Sequence, residues 1–213
     1  MKDAAQHVVY VHGLWMPGGE SRLLAHRLLR EFGFEVHAFP YSAATWGMEE
    51  ITAHLQTFIR SLAVPAVHLV GHSLGGLVIY RFLEHYPEQP PGRVVFLGTP
   101  CLESRAAVQA AQLRFVGALM GPSVAAELLQ PCERRWAFRR ALGIVAGTQS
   151  IGLGQFVAGF EEECDGTVAV SETRLPGAAD HITLPVSHMG MLVSPRVARE
   201  TGLFLRDGRF SLG

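Results

Sequence analysis

The chain has 213 residues, of which 48% are hydrophobic and 17% are charged, and its formal net charge is −1. This composition excludes an intrinsically disordered chain, and the balanced charge excludes the basic surface that binds nucleic acid or acidic lipid. The length fits a single domain over residues 1–213.

Strands and helices alternate along the chain. In chain order, the apolar patterns predict a strand at 8–11, a helix at 20–32, a strand at 34–39, and a helix that begins at Thr45 or Gly47. Further on they predict a strand at 67–70, a helix at 74–86, strands at 93–97 and 142–146, a weak sixth strand at 181–184, and a last helix. Alternation of this kind requires crossover connections, so it predicts a mostly parallel sheet with helices on both faces.

The segment between the fourth and fifth strands breaks this alternation. Residues 101–140 are rich in alanine and have apolar residues at helical spacing. A helical insertion at this place would lie near the carboxyl ends of the strands and could cover a site there. We therefore expect a short cap-like insertion at about 101–140 within the single domain.

The cysteines and the terminal segment bear on compartment and cofactors. Cys101, Cys132 and Cys164 are odd in number and far apart, which argues against a disulfide framework and against a zinc site. No apolar leader precedes the first strand, no stretch reaches the ~18 apolar residues of a membrane span, and no phosphate-binding glycine motif occurs. We expect a cytoplasmic protein without integral membrane contact, nucleic acid, cofactor or metal.

The strongest functional signal is Gly71-His72-Ser73-Leu74-Gly75, which lies between a predicted buried strand and a predicted helix. A G-x-S-x-G sequence in this context is typical of a nucleophile elbow, a tight and strained turn that exposes the serine hydroxyl. Glycines flank the serine because side chains there would collide with the neighbouring strand and helix. The alternative is an ordinary strand–loop–helix turn that contains the pattern by chance.

A second signal is His12-Gly13-Leu14, directly after the first strand. A serine that attacks a carbonyl carbon creates an oxyanion, and preorganised backbone N–H groups must stabilise it. The N–H groups of Leu14 and Leu74 are the predicted donors, whereas a simple strand-ending turn is the alternative for the first of them. His12 itself is predicted to be a structural, hydrogen-bonding histidine.

A general base and an acid are expected after the serine, in the order serine, acid, histidine. His188 is the histidine on a C-terminal loop in the required order, just before the last helix. Asp165, in an Asp-Gly turn between the serine and His188, is the predicted acid that orients the histidine. Asp180 and Glu163 are the alternatives for the acid, and an ordinary surface turn is the alternative for the Asp-Gly pair.

Together with Gly98-Thr99-Pro100 after the fourth strand, these motifs resemble those of the α/β-hydrolase superfamily, and within it the small bacterial esterase/lipase-like proteins. The resemblance spans nearly the whole chain. It implies an α/β-hydrolase fold, a triad of Ser73, His188 and Asp165, and cofactor-free hydrolysis of a small-molecule acyl ester. A thioesterase or acyltransferase with the same triad and a non-catalytic binding protein of this fold are the alternatives.

Three aromatic residues are candidates for lining an acyl pocket, namely Trp15, Trp46 and Phe115. The alternative that they are ordinary core residues fits the sequence equally well.

Overall fold

Apolar, β-rich runs form a six-stranded sheet in the computed structural model, which describes residues 6–14, 19–102, 134–150 and 163–211. The strands are β1 (Gln6–Val11), β2 (Phe34–Ala38), β3 (Val67–His72), β4 (Val94–Leu97), β5 (Leu142–Gly147) and β6 (Asp180–Leu184). All neighbouring pairs are parallel, and the order is β2-β1-β3-β4-β5-β6. The prediction of a parallel sheet is confirmed.

Helices occupy both faces of this sheet. They are α1 (Arg22–Phe32), α2 (Met48–Ser61), α3 (Leu74–His85), α4 (Val170–Thr173) and α5 (Pro195–Asp207). Short 3-10 turns at Gly19–Ser21 and Gly190–Leu192 precede α1 and α5. The helix α2 begins after the extended residue Gly47, which is one of its two predicted starts, whereas the four-residue helix α4 is too short for a periodic signal.

Alternation along each strand divides the core into two layers. On β1, Val9 and Val11 point to the layer that α2 and α3 cover, whereas Val8 and Tyr10 point to the layer that α1 and α5 cover. Strands buried on both faces are typical of a parallel sheet with crossover helices, and all six residues of β3 are buried. In open α/β sheets of this kind, ligand sites form at the carboxyl ends of the strands.

The predicted insertion at about 101–140 lies largely outside the described residues, because residues 103–133 are not described. Its two ends are joined where the Arg134 guanidinium donates a hydrogen bond to the Cys101 carbonyl oxygen at 3.1 Å. Among the described residues, no helix is both long and apolar enough to cross a membrane.

A buried histidine links β3 to the start of β4. The Nδ1 atom of His68 accepts a hydrogen bond from the backbone N–H of Arg93 at 3.0 Å. Burial and, to a lesser degree, the positive charges of Arg93 and Arg140 lower the pKa of His68 to about 4. The folded protein therefore holds this ring in its neutral form at pH values where the unfolded chain binds a proton.

This lowered pKa predicts acid sensitivity. Above the unfolded pKa of about 6.5 the contribution of His68 to stability is fully present, and it is lost as the pH falls from there towards 4. Between pH 7.5 and pH 5, His68 is expected to lower the free energy of unfolding by about 2 kcal/mol. In His68→Asn, the side-chain oxygen keeps an acceptor near the Nδ1 position. The loss of unfolding free energy between pH 7.5 and pH 5 should be smaller in this variant by about 2 kcal/mol, as urea denaturation at the two pH values would measure.

The exposed His26 on α1 provides the control. His26→Asn should keep the pH dependence of the wild type. Equal pH dependence in the wild type and in His68→Asn would show that the buried ring of His68 does not cause the loss of stability at acidic pH.

Candidate active site

Ser73 lies at the turn between β3 and α3 in a strained backbone conformation. Its φ is 54° and its ψ is −124°, a region that residues with a side chain rarely adopt. The backbone N–H of Ser73 donates a hydrogen bond to the Leu97 carbonyl oxygen at 2.9 Å, which fixes the turn to the end of β4. The serine is therefore held at the carboxyl edge of the sheet.

The two glycines on either side of Ser73 have no room for a side chain. A Cβ atom at Gly71 would lie 2.6 Å from the Cα of Gly76, and one at Gly75 would lie 2.0 Å from the carbonyl oxygen of Val11. Both neighbours are backbone atoms, so neither can move without shifting α3 or β1. The structure thus gives the physical reason for the glycines of the G-x-S-x-G motif.

Gly75→Ala is consequently expected to destabilise the fold by about 3 kcal/mol or more, because overpacking against backbone forces a helix to move. Urea denaturation measures this loss. Gly19→Ala is the matched control, since a Cβ there meets nothing within 4 Å and stability should change by less than about 0.5 kcal/mol. Similar midpoints for the two variants would contradict the close packing of α3 on β1.

A buried carboxylate and a histidine meet beside the turn. The Nδ1 atom of His188 lies 2.7 Å from the Oδ2 atom of Asp165, whose side chain is fully buried. The Oδ1 atom of Asp165 accepts hydrogen bonds from the backbone N–H groups of Thr167 at 2.9 Å and Val168 at 2.7 Å. A carboxylate anchored in this way fixes the ring orientation and assigns the Nδ1 proton, which leaves Nε2 as an acceptor.

Four successive strand ends contribute to this cluster. Ser73 follows β3, Gly98 follows β4, Asp165 comes after β5 and His188 comes after β6. Gly98, whose neighbour Leu97 bonds to Ser73, lies against both members of the pair: a Cβ there would be 2.9 Å from Asp165 Oδ2 and 3.1 Å from His188 Nδ1. The parallel topology therefore places Asp165 and His188 against the end of β4, to which the backbone of Ser73 is also bonded.

The other candidates for the acid are placed differently. Asp180 starts β6 and its carboxylate accepts hydrogen bonds from the backbone N–H groups of His181 and Phe210 at 2.9 and 2.8 Å. Glu163 is exposed. Among the described residues, Asp165 is the carboxylate that bonds to His188.

His72 contacts His188, and the sequence did not reveal this contact. Its Nε2–H donates a hydrogen bond to the His188 carbonyl oxygen at 3.1 Å, and the two ring centroids are 4.7 Å apart. Complete burial, followed by the neighbouring His188, lowers the pKa of His72 to about 3, so this ring stays neutral. The only available signal was its position as the last residue of a fully buried strand.

The predicted oxyanion donors lie in two neighbouring turns, one after β1 and one after β3. Leu74 is the first residue of α3, where backbone N–H groups have no partner within the helix. Leu14 is half-buried in the turn after β1 and packs on the core beneath α2 and α3. The close approach of Gly75 to the carbonyl oxygens of Val11 and His12 keeps this turn beside the serine.

His12 holds the turn after β1 in place. Its ring is buried, with Nδ1 2.8 Å from the Gly13 carbonyl oxygen, and it stacks on Tyr41 at a centroid distance of 4.1 Å. The Tyr41 hydroxyl donates a hydrogen bond to the His12 carbonyl oxygen at 2.7 Å. These contacts give His12 the structural role that the sequence indicated.

One of the three predicted pocket residues is described. Trp46 lies between β2 and α2, is half-buried, and stacks on His54 at a centroid distance of 4.5 Å. It also packs on the core beneath α2 and α3. Trp15 and Phe115 lie outside the described residues.

Comparison with known proteins agrees with this architecture. The model of the alpha/beta hydrolase family matches residues 8–201, so the chain belongs to the alpha/beta hydrolase family. The amino-acid sequence matches none of the curated proteins.

Among solved structures, the mature form of the Bacillus licheniformis lipase BlEst2 is similar, with a TM-score of 0.75 and 20% identity over 96% of this chain and 92% of that one. The metagenomic carboxyl esterase MGS0156 has a TM-score of 0.73 and 17% identity over 97% of this chain and 76% of its own. The carboxylesterase CesB from Bacillus subtilis has a TM-score of 0.59 and 17% identity, with 98% and 85% of the two chains covered. These likenesses show the fold.

Proposed function

We propose that the protein is a serine carboxylic-ester hydrolase in which Ser73 is the nucleophile, His188 the general base and Asp165 the acid that orients it. The observation that carries this proposal is the buried Asp165–His188 hydrogen bond of 2.7 Å, at the same edge of the sheet as a serine whose φ is 54°. Strained backbone and a buried, anchored carboxylate both cost stability, and such features cluster at active sites.

In the first half of the reaction, the Ser73 Oγ atom forms a bond to the ester carbonyl carbon while His188 Nε2 takes its proton. The electron pair of the carbonyl double bond moves to the oxygen, where the N–H groups of Leu14 and Leu74 stabilise the negative charge. The carbon–oxygen bond to the alcohol then breaks. The departing oxygen takes the proton from His188, which leaves an acyl group on Ser73.

In the second half, a water molecule is the nucleophile and Ser73 is the leaving group. His188 removes a proton from a water molecule, whose oxygen bonds to the acyl carbon, and the bond to Ser73 Oγ breaks as His188 returns the proton. Asp165 stabilises the imidazolium that forms at each step. These reaction steps need no cofactor, because the nucleophile, the base and the oxyanion donors all come from the chain.

The proposed substrate is a small-molecule acyl ester. Trp46, on the loop at the carboxyl edge of the sheet, is proposed to contact the acyl group together with Trp15 and Phe115. The similarity to lipase and carboxylesterase structures favours an ester over other carbonyl substrates, although a thioester would react by the same steps.

Covalent labelling tests the proposal directly. A fluorophosphonate reacts with an activated serine, so the folded protein should become labelled on the peptide that contains Ser73, as mass spectrometry would identify. Heat-denatured protein should not react. Ser171→Ala, at an exposed position on α4, should label like the wild type.

Absence of labelling on the folded protein would favour the non-catalytic binding protein. With labelling established, kcat/KM for matched oxoesters and thioesters separates an esterase from a thioesterase: a preference for the thioester of tenfold or more would assign a thioesterase.

A further inference from the structure

We propose a binding site for a divalent transition-metal ion, Zn²⁺ being the best fit, formed by His7, Glu35 and His37 at the β2 edge of the sheet. The parallel register places His7 of β1 opposite Glu35 of β2, and Val9 opposite His37. Because side chains alternate along a strand, His7, Glu35 and His37 all project from the same face of the two strands. The site belongs to no step of the proposed ester hydrolysis.

Ligand atoms of the three side chains already lie within reach of one ion. The His7 Nδ1 atom is 3.0 Å from the His37 Nε2 atom. The two carboxylate oxygens of Glu35 lie 3.8 Å from His7 Nδ1 and 3.9 Å from His37 Nε2. One ligand atom from each of the three side chains lies within 4.8 Å of the other two, and among the described residues no other group of three histidine, cysteine or acidic side chains does so.

A small movement converts this arrangement into a coordination site. The ring centroids of His7 and His37 are 5.3 Å apart and the ring planes differ by 26°, so the rings lie nearly edge to edge with one N–H···N hydrogen bond between them. Two nitrogen ligands about 2.0–2.1 Å from a tetrahedral Zn²⁺ lie about 3.3 Å apart. To bind the ion, the donating ring would take its other tautomer, with its proton on the second ring nitrogen. The two nitrogens would separate by about 0.3 Å, and both rings would tilt so that their lone pairs point at the ion.

The donor set and its exposure fit zinc. Two imidazoles and one carboxylate are a common Zn²⁺ ligand set, and imidazole nitrogens favour Zn²⁺ over the harder ions Mg²⁺ and Ca²⁺. The side chains of His7 and His37 are 19% and 22% exposed and that of Glu35 is 54% exposed, so water can complete the coordination sphere. Residues from two neighbouring strands supply the ligands, so the ion would clamp β2 to β1.

The position separates this site from the candidate active site. His7 is near the amino end of β1, roughly 13 Å along the strand from Val11, whereas Ser73 lies at the carboxyl edge. Zinc should therefore raise stability without being required for ester hydrolysis, and the proposal stands whether or not the protein is an esterase.

Titration of the untagged, chelator-treated chain with ZnCl₂ tests the proposal. Calorimetry should give one ion per chain, and free Zn²⁺ at a hundredfold excess over Kd should raise Tm by about 5–10 °C. His37→Ala and Glu35→Gln should each weaken binding by at least about tenfold, since removal of a direct ligand costs no less than removal of a supporting partner.

His26→Ala, at an exposed histidine on another element, should bind Zn²⁺ like the wild type. Undiminished Zn²⁺ binding in both His37→Ala and Glu35→Gln, or no saturable binding by the wild type, would overturn the proposal. Two variants protect the test against a failure to fold, and circular dichroism of each without metal checks that the fold is intact.

Discussion

Ser73→Ala is expected to lower kcat for ester hydrolysis by about 10⁵–10⁶-fold, because the nucleophile is lost and only binding and oxyanion stabilisation remain. Alanine removes the hydroxyl but keeps the Cβ atom, so the strain at φ 54° and the packing of α3 are unchanged. The measurement is steady-state hydrolysis of p-nitrophenyl esters from acetate to palmitate by both proteins. The chain length with the highest kcat/KM also gives the size of the acyl pocket.

Ser171→Ala serves as the control for this series and should keep wild-type rates, since that serine lies on the exposed side of α4. Circular dichroism and Tm show whether Ser73→Ala is folded. A folded Ser73→Ala variant that hydrolyses esters at the wild-type rate would contradict the role of Ser73 as nucleophile, and with it the proposed function.

The sequence predicted the strands well because their burial produces a strong signal. Residues 67–72 and 142–147 are buried without exception, and such apolar runs of four to six residues between turn signals are typical of central parallel strands. Strand ends differ from prediction by one or two residues, since hydrogen bonding across the sheet, rather than local composition, determines where pairing stops.

Short elements escaped prediction because local contacts stabilise them. The helix α4 has only four residues, and it begins where the carboxylate of the buried Glu172 accepts a hydrogen bond from the backbone N–H of Ala169 at 3.0 Å. No hydrophobic period exists over so short a segment. A capping interaction of this kind depends on burial, which the sequence alone does not show.

The residues of the candidate site that lie within a short sequence motif were easier to predict than those that lie far apart in the chain. Ser73 lies within a five-residue motif, whereas His188 and Asp165 could be chosen only by their order along the chain. The contact of His72 with His188 joins residues 116 positions apart, and the grouping of His7 with Glu35 and His37 depends on strand register. Such pairings follow from sheet topology, which composition and spacing do not specify.

Asp165→Asn is expected to lower kcat by about 10⁴-fold with little change in shape. The backbone N–H groups of Thr167 and Val168 that bond to the carboxylate require an oxygen at Oδ1, so the amide nitrogen of the variant must face His188 Nδ1. An N–H donor there forces Nδ1 to be the acceptor and moves the ring proton to Nε2. Nε2 can then no longer take the proton of Ser73, and p-nitrophenyl ester hydrolysis at pH 8 measures the loss.

Glu163→Gln is the matched control, because it makes the same change from carboxylate to amide at an exposed position two residues away. It should retain kcat/KM within about threefold, since surface substitutions have small effects. Loss of activity in Glu163→Gln together with a fully active Asp165→Asn would transfer the role of the acid to Glu163. The reverse pattern, with fluorophosphonate labelling slowed in Asp165→Asn alone, is expected if the buried carboxylate acts by fixing the tautomer of His188.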